Sequence, residues 1–303
     1  VDGVTPEYLA PETGWLTSWG PAYTDLVWDG ESNYDYDKNG NIVLKSDLPG
    51  GTPVTPYDNL NNFFRTGVTS RNNVSISGGN DMATFRFSVS DTRESGIVPN
   101  NTFGKTNVSL VSGIKLMDNK LNIVTSANYI NSGGVRIQQG SNLSGVMLGL
   151  LRTPITFDNA NGSDDPVNDP TVYTLSDGSQ RNFRGGGGYD NPWWTVNNNP
   201  FTDKVNRFLG NFQTSYKFSD YLTVSTNVGL DTYTDRRQQL YAINSRQNPA
   251  GKIIEETYDV LQTDAYLLFS GRTFLDKDGN FDLDYQAGFN AFSYNNNNLY
   301  TCL

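Results

Sequence analysis

Residues 74–90 read VSISGGNDMATFRFSVS. Before the pair Gly78-Gly79, Val74 and Ile76 alternate with Ser75 and Ser77. After it, Phe85, Phe87 and Val89 alternate with Thr84, Arg86, Ser88 and Ser90. Alternation of period two on both sides of a tight turn is a β-hairpin with one apolar and one polar face. The fold turns on what the apolar face meets: the core of a soluble sandwich or the hydrocarbon of a bilayer.

The same alternation runs outward along the chain. Val108 and Leu110 precede a turn at 117–120, after which Leu121, Ile123, Ala127 and Tyr129 alternate with Asn122, Ser126 and Asn128. Phe208, Phe212, Tyr216 and Phe218 alternate with Arg207, Asn211, Gln213 and Lys217. Beyond Ser219-Asp220, Leu222, Val224, Val228 and Leu230 alternate with Thr223, Ser225, Asn227 and Asp231. Residues 258–274 read as a further strand, and the turn at 276–280 leads into Phe281, Leu283, Tyr285, Ala287 and Phe289. The pattern predicts about eight strands in hairpins and no amphipathic helix.

Strand length and loop order separate barrel from sandwich. Residues 221–233 and 281–289 are long for ordinary strands and suit the roughly 9–11 tilted residues that cross a bilayer. Connections near 78–81, 117–120, 218–220 and 276–280 are short, and those at about 91–103, 132–205 and 235–256 are long. Short turns at one end and long loops at the other are the arrangement of outer-membrane barrels. The expected class is all-β: an antiparallel transmembrane β-barrel segment, about eight strands of a larger barrel, with long extracellular loops. Residues 1–64 read as an irregular, loop-rich segment on the extracellular side, and 65–303 as barrel strands and loops. Phe85, Phe87, Leu222, Val224, Leu283 and Tyr285 are expected to face lipid, and Arg86, Asn211, Asn227, Asp282 and Asp284 the lumen. Tyr129, Tyr216, Phe218, Tyr221, Tyr233 and Phe289 are candidates for aromatic girdles.

Composition agrees. The 303 residues are 36% hydrophobic and 13% aromatic, with a mean hydropathy of -0.52. A barrel escapes hydropathy scans because only alternate strand residues are apolar. A net charge of -10, from 22 basic and 32 acidic residues, gives no basic cluster for a nucleic-acid partner. The chain has no histidine, which removes Ser-His-Asp and Cys-His catalysis and histidine-held metals. One cysteine, Cys302, forms no intrachain disulfide. Adjacent acids such as Asp164-Asp165 and Glu255-Glu256 point to opposite sides of an extended chain, so paired-carboxylate hydrolysis has no support. The chain is not expected to be an enzyme.

Particular stretches carry a family likeness. SWGPAYTDLVWDG (18–30), NFFRTG (62–67), SISGGN (75–80), GIVPN (96–100), DNPWWTVNNN (190–199), NRFLGN (206–211) and TDAYLLF (263–269) resemble SusC/RagA-type TonB-dependent outer-membrane transporters. The resemblance implies energy-coupled uptake of large nutrients, glycans or peptides, beneath a SusD-like surface lipoprotein in the outer membrane of a Gram-negative bacterium. It implies coupling to TonB through parts of the protein not in this chain. No plug-like, TonB-contacting or closing-strand sequence is evident, so an early-to-middle piece of such a barrel, processed or partial, is expected. Alternatives are a passive porin or structural barrel subunit of an outer-membrane assembly, and a soluble β-rich adhesin or glycan-binding module.

The candidate ligand contacts are Trp15, Trp19, Trp28, Trp193 and Trp194, whose indole faces stack on sugar rings or peptide groups or else pack the loops together. No cofactor is expected beyond a possible structural calcium. DYDKNGN (35–41) places oxygens at Asp35, Asp37 and Asn39 with Gly40 at the bend, the opening half of a calcium loop, but Ser46 stands where the bidentate glutamate belongs. The other reading is a plain hairpin turning at Asn39-Gly40. Gly185 to Gly188 read as flexible loop, and the asparagine runs 197–199 and 295–298 as solvated loop tips.

Overall fold

The computed structural model describes residues 8–14, 20–138, 143–185, 188–276 and 281–303. Near the N-terminus, β1 (Leu26–Trp28) pairs with β2 (Ile42–Leu44) and β3 (Thr52–Pro53) in a small sheet. The main body is a single eight-stranded antiparallel sheet of β4 (Val68–Gly79), β5 (Ala83–Ser95), β6 (Thr102–Leu116), β7 (Leu121–Arg136), β8 (Phe201–Ser219), β9 (Leu222–Tyr241), β10 (Lys252–Phe274) and β11 (Asp282–Cys302). Its spatial order is its sequence order, so every neighbour is a hairpin partner. β4 and β11 do not pair with one another: the sheet is an open arc.

The glycine pair of the first hairpin lies inside the strand rather than at the turn. Gly78 opposes Phe85 and Gly79 opposes Thr84. A Cβ on Gly79 would sit 2.5 Å from the Ala83 carbonyl, and one on Gly78 would press on the Phe85 ring at 3.1 Å. The turn itself is 80–82, closed by the Asn80 side chain accepting from the Met82 and Ala83 amides at 2.9 and 2.8 Å. At the next turn Met117, Asp118 and Asn119 all have positive φ.

Register sorts the side chains onto two faces. One transverse row reads Phe85, Ser112, Thr125, Phe212, Val228, Ala265 and Ala291. The rows two residues away on the same face carry Ile76, Phe87, Leu110, Ala127 and Leu230 on one side, and Ile114, Ile123, Leu267 and Phe289 on the other. Leu222, Val224, Leu283 and Tyr285 share this lipid-facing side. Arg86, Asn211, Asn227, Asp282 and Asp284 share the opposite side, as the alternation predicts. Tyr233 is a correction: its odd position on β9 places it with Asp231 on the lumen side, not in an outer girdle.

The strands also run further than the alternation indicates. Beyond the row of Val74, Val89, Val108, Tyr129 and Phe208, the outer face turns polar, with Asp91, Thr106, Asn131, Asn206, Thr234 and Asp259. The ladder continues there although both faces are wet, so the hydrophobic period vanishes before the strand does. The long connections shrink accordingly to 96–101, 137–200 and 242–251. For the same reason the asparagines at 295–298, expected at a loop tip, are ladder residues opposite 258–261.

The described residues of these long connections, all at one end, pack with residues 8–14 and 20–64 into a cap. Three short helices contribute where none was predicted: α1 (Asn59–Phe63), α2 (Val146–Arg152) and α3 (Pro192–Asn198). Each is at most seven residues long, too short for a hydrophobic period to show. Local capping starts two of them: Asp58 accepts from the Asn61 amide, and Asn191 from the Trp193 amide with Pro192 at the first turn, while α2 begins after Gly145 without a side-chain cap. The main cap core joins Phe63, Val98, Val146, Leu150, Val172, Tyr173, Trp193 and Trp194. Among the described residues no helix is long and apolar enough to cross a membrane.

Candidate functional site

The cap stands over the lumen end of the sheet, and its three described tryptophans are structural in their surroundings. Trp28 on β1 donates through Nε1 to Asp37 Oδ2 at 3.3 Å, with the Tyr57 ring 6.1 Å away. On α3, Trp193 lies 4.7 Å from the Phe63 ring, and Trp194 meets the Tyr173 ring edge-on at 6.1 Å while donating to Ser245 Oγ at 3.0 Å. All three are buried, so protein covers their indole faces. Trp15 and Trp19 lie outside the described residues.

The 35–41 segment does not fit a calcium loop. Asp37 spends one carboxylate oxygen on Trp28 and the other on the Asn39 amide at 2.8 Å. Asp35 instead accepts from Ser176 Oγ at 3.2 Å, and the Asn39 side chain donates to the Tyr57 hydroxyl at 3.0 Å. Among the described residues no group of three or more acidic or cysteine side chains converges on one point. The bend itself is built around Asp29, which accepts from the Glu31 and Asn41 amides and from the Asn41 side chain. Gly40, at φ +96°, is required there because a Cβ would fall 2.3 Å from Asp29 Oδ1.

Polar residues join the tryptophans in holding the cap's separate pieces together. Arg181, fully buried, donates to the carbonyls of Asp158 at 2.8 Å, Val172 at 3.1 Å and Tyr36, with its guanidinium 4.4 Å over the Phe157 ring. Burial pushes its pKa down to about 10, against the pull of Asp158 and Asp37, so it remains a cation at neutral pH. Burial pushes the Asp190 carboxyl up, although it accepts from Gln180 Nε2 at 2.8 Å and the Arg246 amide at 2.7 Å. Asn199 is buried rather than at a solvated tip: its side-chain oxygen accepts from the Ala242 amide and Ser245 Oγ. Sequence reasoning missed Arg181, Asp190 and Asn199, since polar residues among glycines and asparagines carry no signal of burial. Gly186 and Gly187 lie outside the described residues.

Below the cap, the lumen face carries ion pairs between neighbouring positions: Arg136 with Asp203 at 2.6 Å, Arg207 with Asp231 at 2.5 Å, and Arg237 with Asp235 at 2.7 Å. The Asn211 side chain donates to Asn227 at 2.7 Å. Such a face suits hydrated contact with a polar solute, because these six charges are balanced where they stand. Nothing in this arrangement pairs a nucleophile with a base.

No family model matches the chain. In sequence it is similar to the TonB-dependent receptor SusC of Bacteroides thetaiotaomicron, 25% identical over 223 residues that make up 69% of this chain and 21% of SusC. In fold it is similar to the RagAB peptide importer in its closed-closed state, with TM-score 0.63 and 17% identity, and to the RagAB peptide transporter, with TM-score 0.64 and 18% identity. These alignments cover 90% and 91% of this chain, and 29% of each RagAB chain. The chain thus spans about a fifth to a third of the proteins it matches.

Proposed function

We propose that the chain is a barrel segment of the SusC/RagA type and forms part of an outer-membrane TonB-dependent transporter that imports large nutrients. The observation that supports this most directly is the two-faced open arc. One face is apolar over successive rows, the other carries balanced ion pairs, and the edges β4 and β11 are unpaired within this chain. Unpaired strand edges do not persist in lipid, so both edges are completed by further strands of the same protein. Eight strands closed on themselves would leave room for little beyond their own side chains. A wide arc keeps Arg86, Asn128, Gln213 and Asp264 hydrated.

A SusD-like lipoprotein would sit on the cap, where Met147, Leu151 and Ile155 keep apolar side chains half or more exposed. The cap, rather than any single tryptophan, is then the docking surface.

The experiment is a deletion of the gene in its host, followed by nutrient uptake with and without an uncoupler of the proton-motive force. Loss of uptake that intact protein restores only in energised cells supports the reading. Uptake that persists under the uncoupler makes the protein a passive porin instead.

A further inference from the structure

Above the apolar rows, the outer face of the sheet carries cations in one transverse row. On β8 the outer positions from Phe208 to Phe218 cover roughly 33 Å of strand, or about 25 Å across a bilayer at the usual tilt, the height of the apolar band of such barrels. Phe208 and the directly opposed Tyr129 therefore mark its upper edge. Two rows further along the same face, register aligns Arg93, Gly104, Gly133, Lys204 and Arg236. Four residues of tilted strand lift this row about 10 Å, so that its long side chains reach back to the lipid headgroups.

Lys204 and Arg236 oppose each other directly, on interior strands, and both are exposed. Like charges facing across a ladder repel. Among the described residues neither makes an ion pair, whereas Arg136, Arg207 and Arg237 on the lumen face are each bound to an aspartate. The positions diagonal to Lys204 are Asn131, Val135, Thr234 and Gln238, none of them acidic. Diagonal to Arg236 on β10 stand Glu255 and Asp259, which already accept from Gln238 Nε2 at 2.7 Å and Thr234 Oγ1 at 2.6 Å.

Beside Lys204 the wall is bare. Gly133 stands opposite it, and the Arg93 side chain crosses Gly104, where a Cβ would fall 2.5 Å from Arg93 Nη1. Arg93 is itself balanced by Asp91 at 2.8 Å. The result is a shallow floor with Arg93 at one end and two unbalanced cations at the other.

An anion held between Lys204 and Arg236 turns their repulsion into attraction, and a guanidinium beside an ammonium suits phosphate oxygens. The place of the pair selects how that anion is carried. Directly below lie the rings of Phe208 and Tyr129, on which acyl chains attached to the phosphate would rest. We propose that Lys204 and Arg236, over the Gly133 floor, bind the phosphate of an outer-leaflet lipid headgroup. The proposal rests on the outer-membrane reading above and gives the barrel a partner on its outside, apart from the conduit and the cap.

The test uses the full-length protein carrying this chain, reconstituted in phosphatidylcholine vesicles that contain either photoactivatable phosphatidic acid or photoactivatable phosphatidylcholine. Adducts on peptides of β8 and β9 are measured by mass spectrometry. Phosphatidic acid should label these strands in preference. The amount needed for half-labelling should rise about fivefold in Lys204→Gln and in Arg236→Gln, the share of one basic residue near an anionic surface. Lys204→Arg should keep the preference. In vesicles of phosphatidylcholine alone, neither glutamine variant should unfold at lower urea than the parent, because repulsion has been removed; this separates lipid contact from loss of fold. Equal labelling by the two lipids, unchanged labelling in both glutamine variants, or displacement of phosphatidic acid by inorganic phosphate overturns the lipid site and leaves the transporter standing. Absence of the protein from the outer membrane of its host removes both.

Discussion

The ring of Phe63, on the helix that precedes the first barrel strand, lies 4.7 Å from the ring of Trp193 and tilted 52° to it. The contact links the N-terminal segment to the far end of the long connection, and both rings are buried in the core that also holds Val98 and Leu150. Truncation there removes a buried ring from that core. Phe63→Ala should destabilise the cap by about 3–5 kcal/mol. Trp28, Trp193 and Trp194 lie in the cap, so their fluorescence during urea unfolding reads it. An unchanged midpoint would mean that the two segments fold independently.

Val228 stands in the middle of the outer apolar rows, between Phe212 and Ala265 on its neighbouring strands. Arginine there should cost about 2–4 kcal/mol of folding free energy in lipid vesicles. Arginine at Asn227, one residue away on the lumen face, should cost far less. Equal penalties would show that the two faces do not meet different solvents.

The buried Asn199 oxygen receives the Ala242 amide at 3.0 Å and Ser245 Oγ at 2.7 Å. Asn199→Ala leaves both donors without an acceptor and should cost the cap about 1–3 kcal/mol. Hydrogen exchange at the Ala242 amide checks this: protection should fall there while β8 and β9 stay protected.

Burial holds the Asp190 and Asp37 carboxyls above their ordinary value of 3.8. A carboxyl whose folded pKa exceeds its unfolded one stabilises the fold fully below the unfolded value, and that contribution is lost as pH rises through the folded value. The urea midpoint of the tryptophan signal should therefore be highest near about pH 4, the unfolded carboxylate range, and decline towards neutrality. Asp190→Asn should flatten the slope. A midpoint that climbs with pH would mean that hydrogen bonds to these carboxylates outweigh their desolvation.

β4 and β11 are the two ends of the arc, so cysteines placed at Val74 and at Phe289, both on the outer face, should fail to cross-link in the full-length protein in the outer membrane. Cysteines at the directly opposed Val74 and Val89 should cross-link. A disulfide between positions 74 and 289 would indicate a small closed barrel.

The barrel was legible in the sequence because its signal is local and repeated. Phe85 and Arg86, or Val228 and Asn227, state their faces by parity alone, and the short turns follow from polar residues between two such runs. Legibility ended where the outside of the sheet became as wet as the inside, as at Asn131, Asn206 and Asp259, because hydrogen bonding of the backbone leaves no trace in side-chain pattern. The cap was opaque for a different reason. Arg181 binds backbone carbonyls from segments far apart in sequence, and its burial depends on a three-dimensional arrangement that no short window contains. The 35–41 motif failed as a metal loop because Asp37 had a nearer partner in Trp28, which only the fold brings into reach.

The hydrogen bonds from Trp194 to Ser245 and from the Arg246 amide to Asp190 give the molecule an order of events in time. The cap cannot close until the hairpin of β8 and β9 has been made and the chain after it has turned back. Its earlier pieces must wait, unlocked, while several strands are laid down beside them. A closed cap is thus a receipt for a correctly registered wall, and a slip of one residue anywhere between β7 and β9 would leave the mouth unfinished.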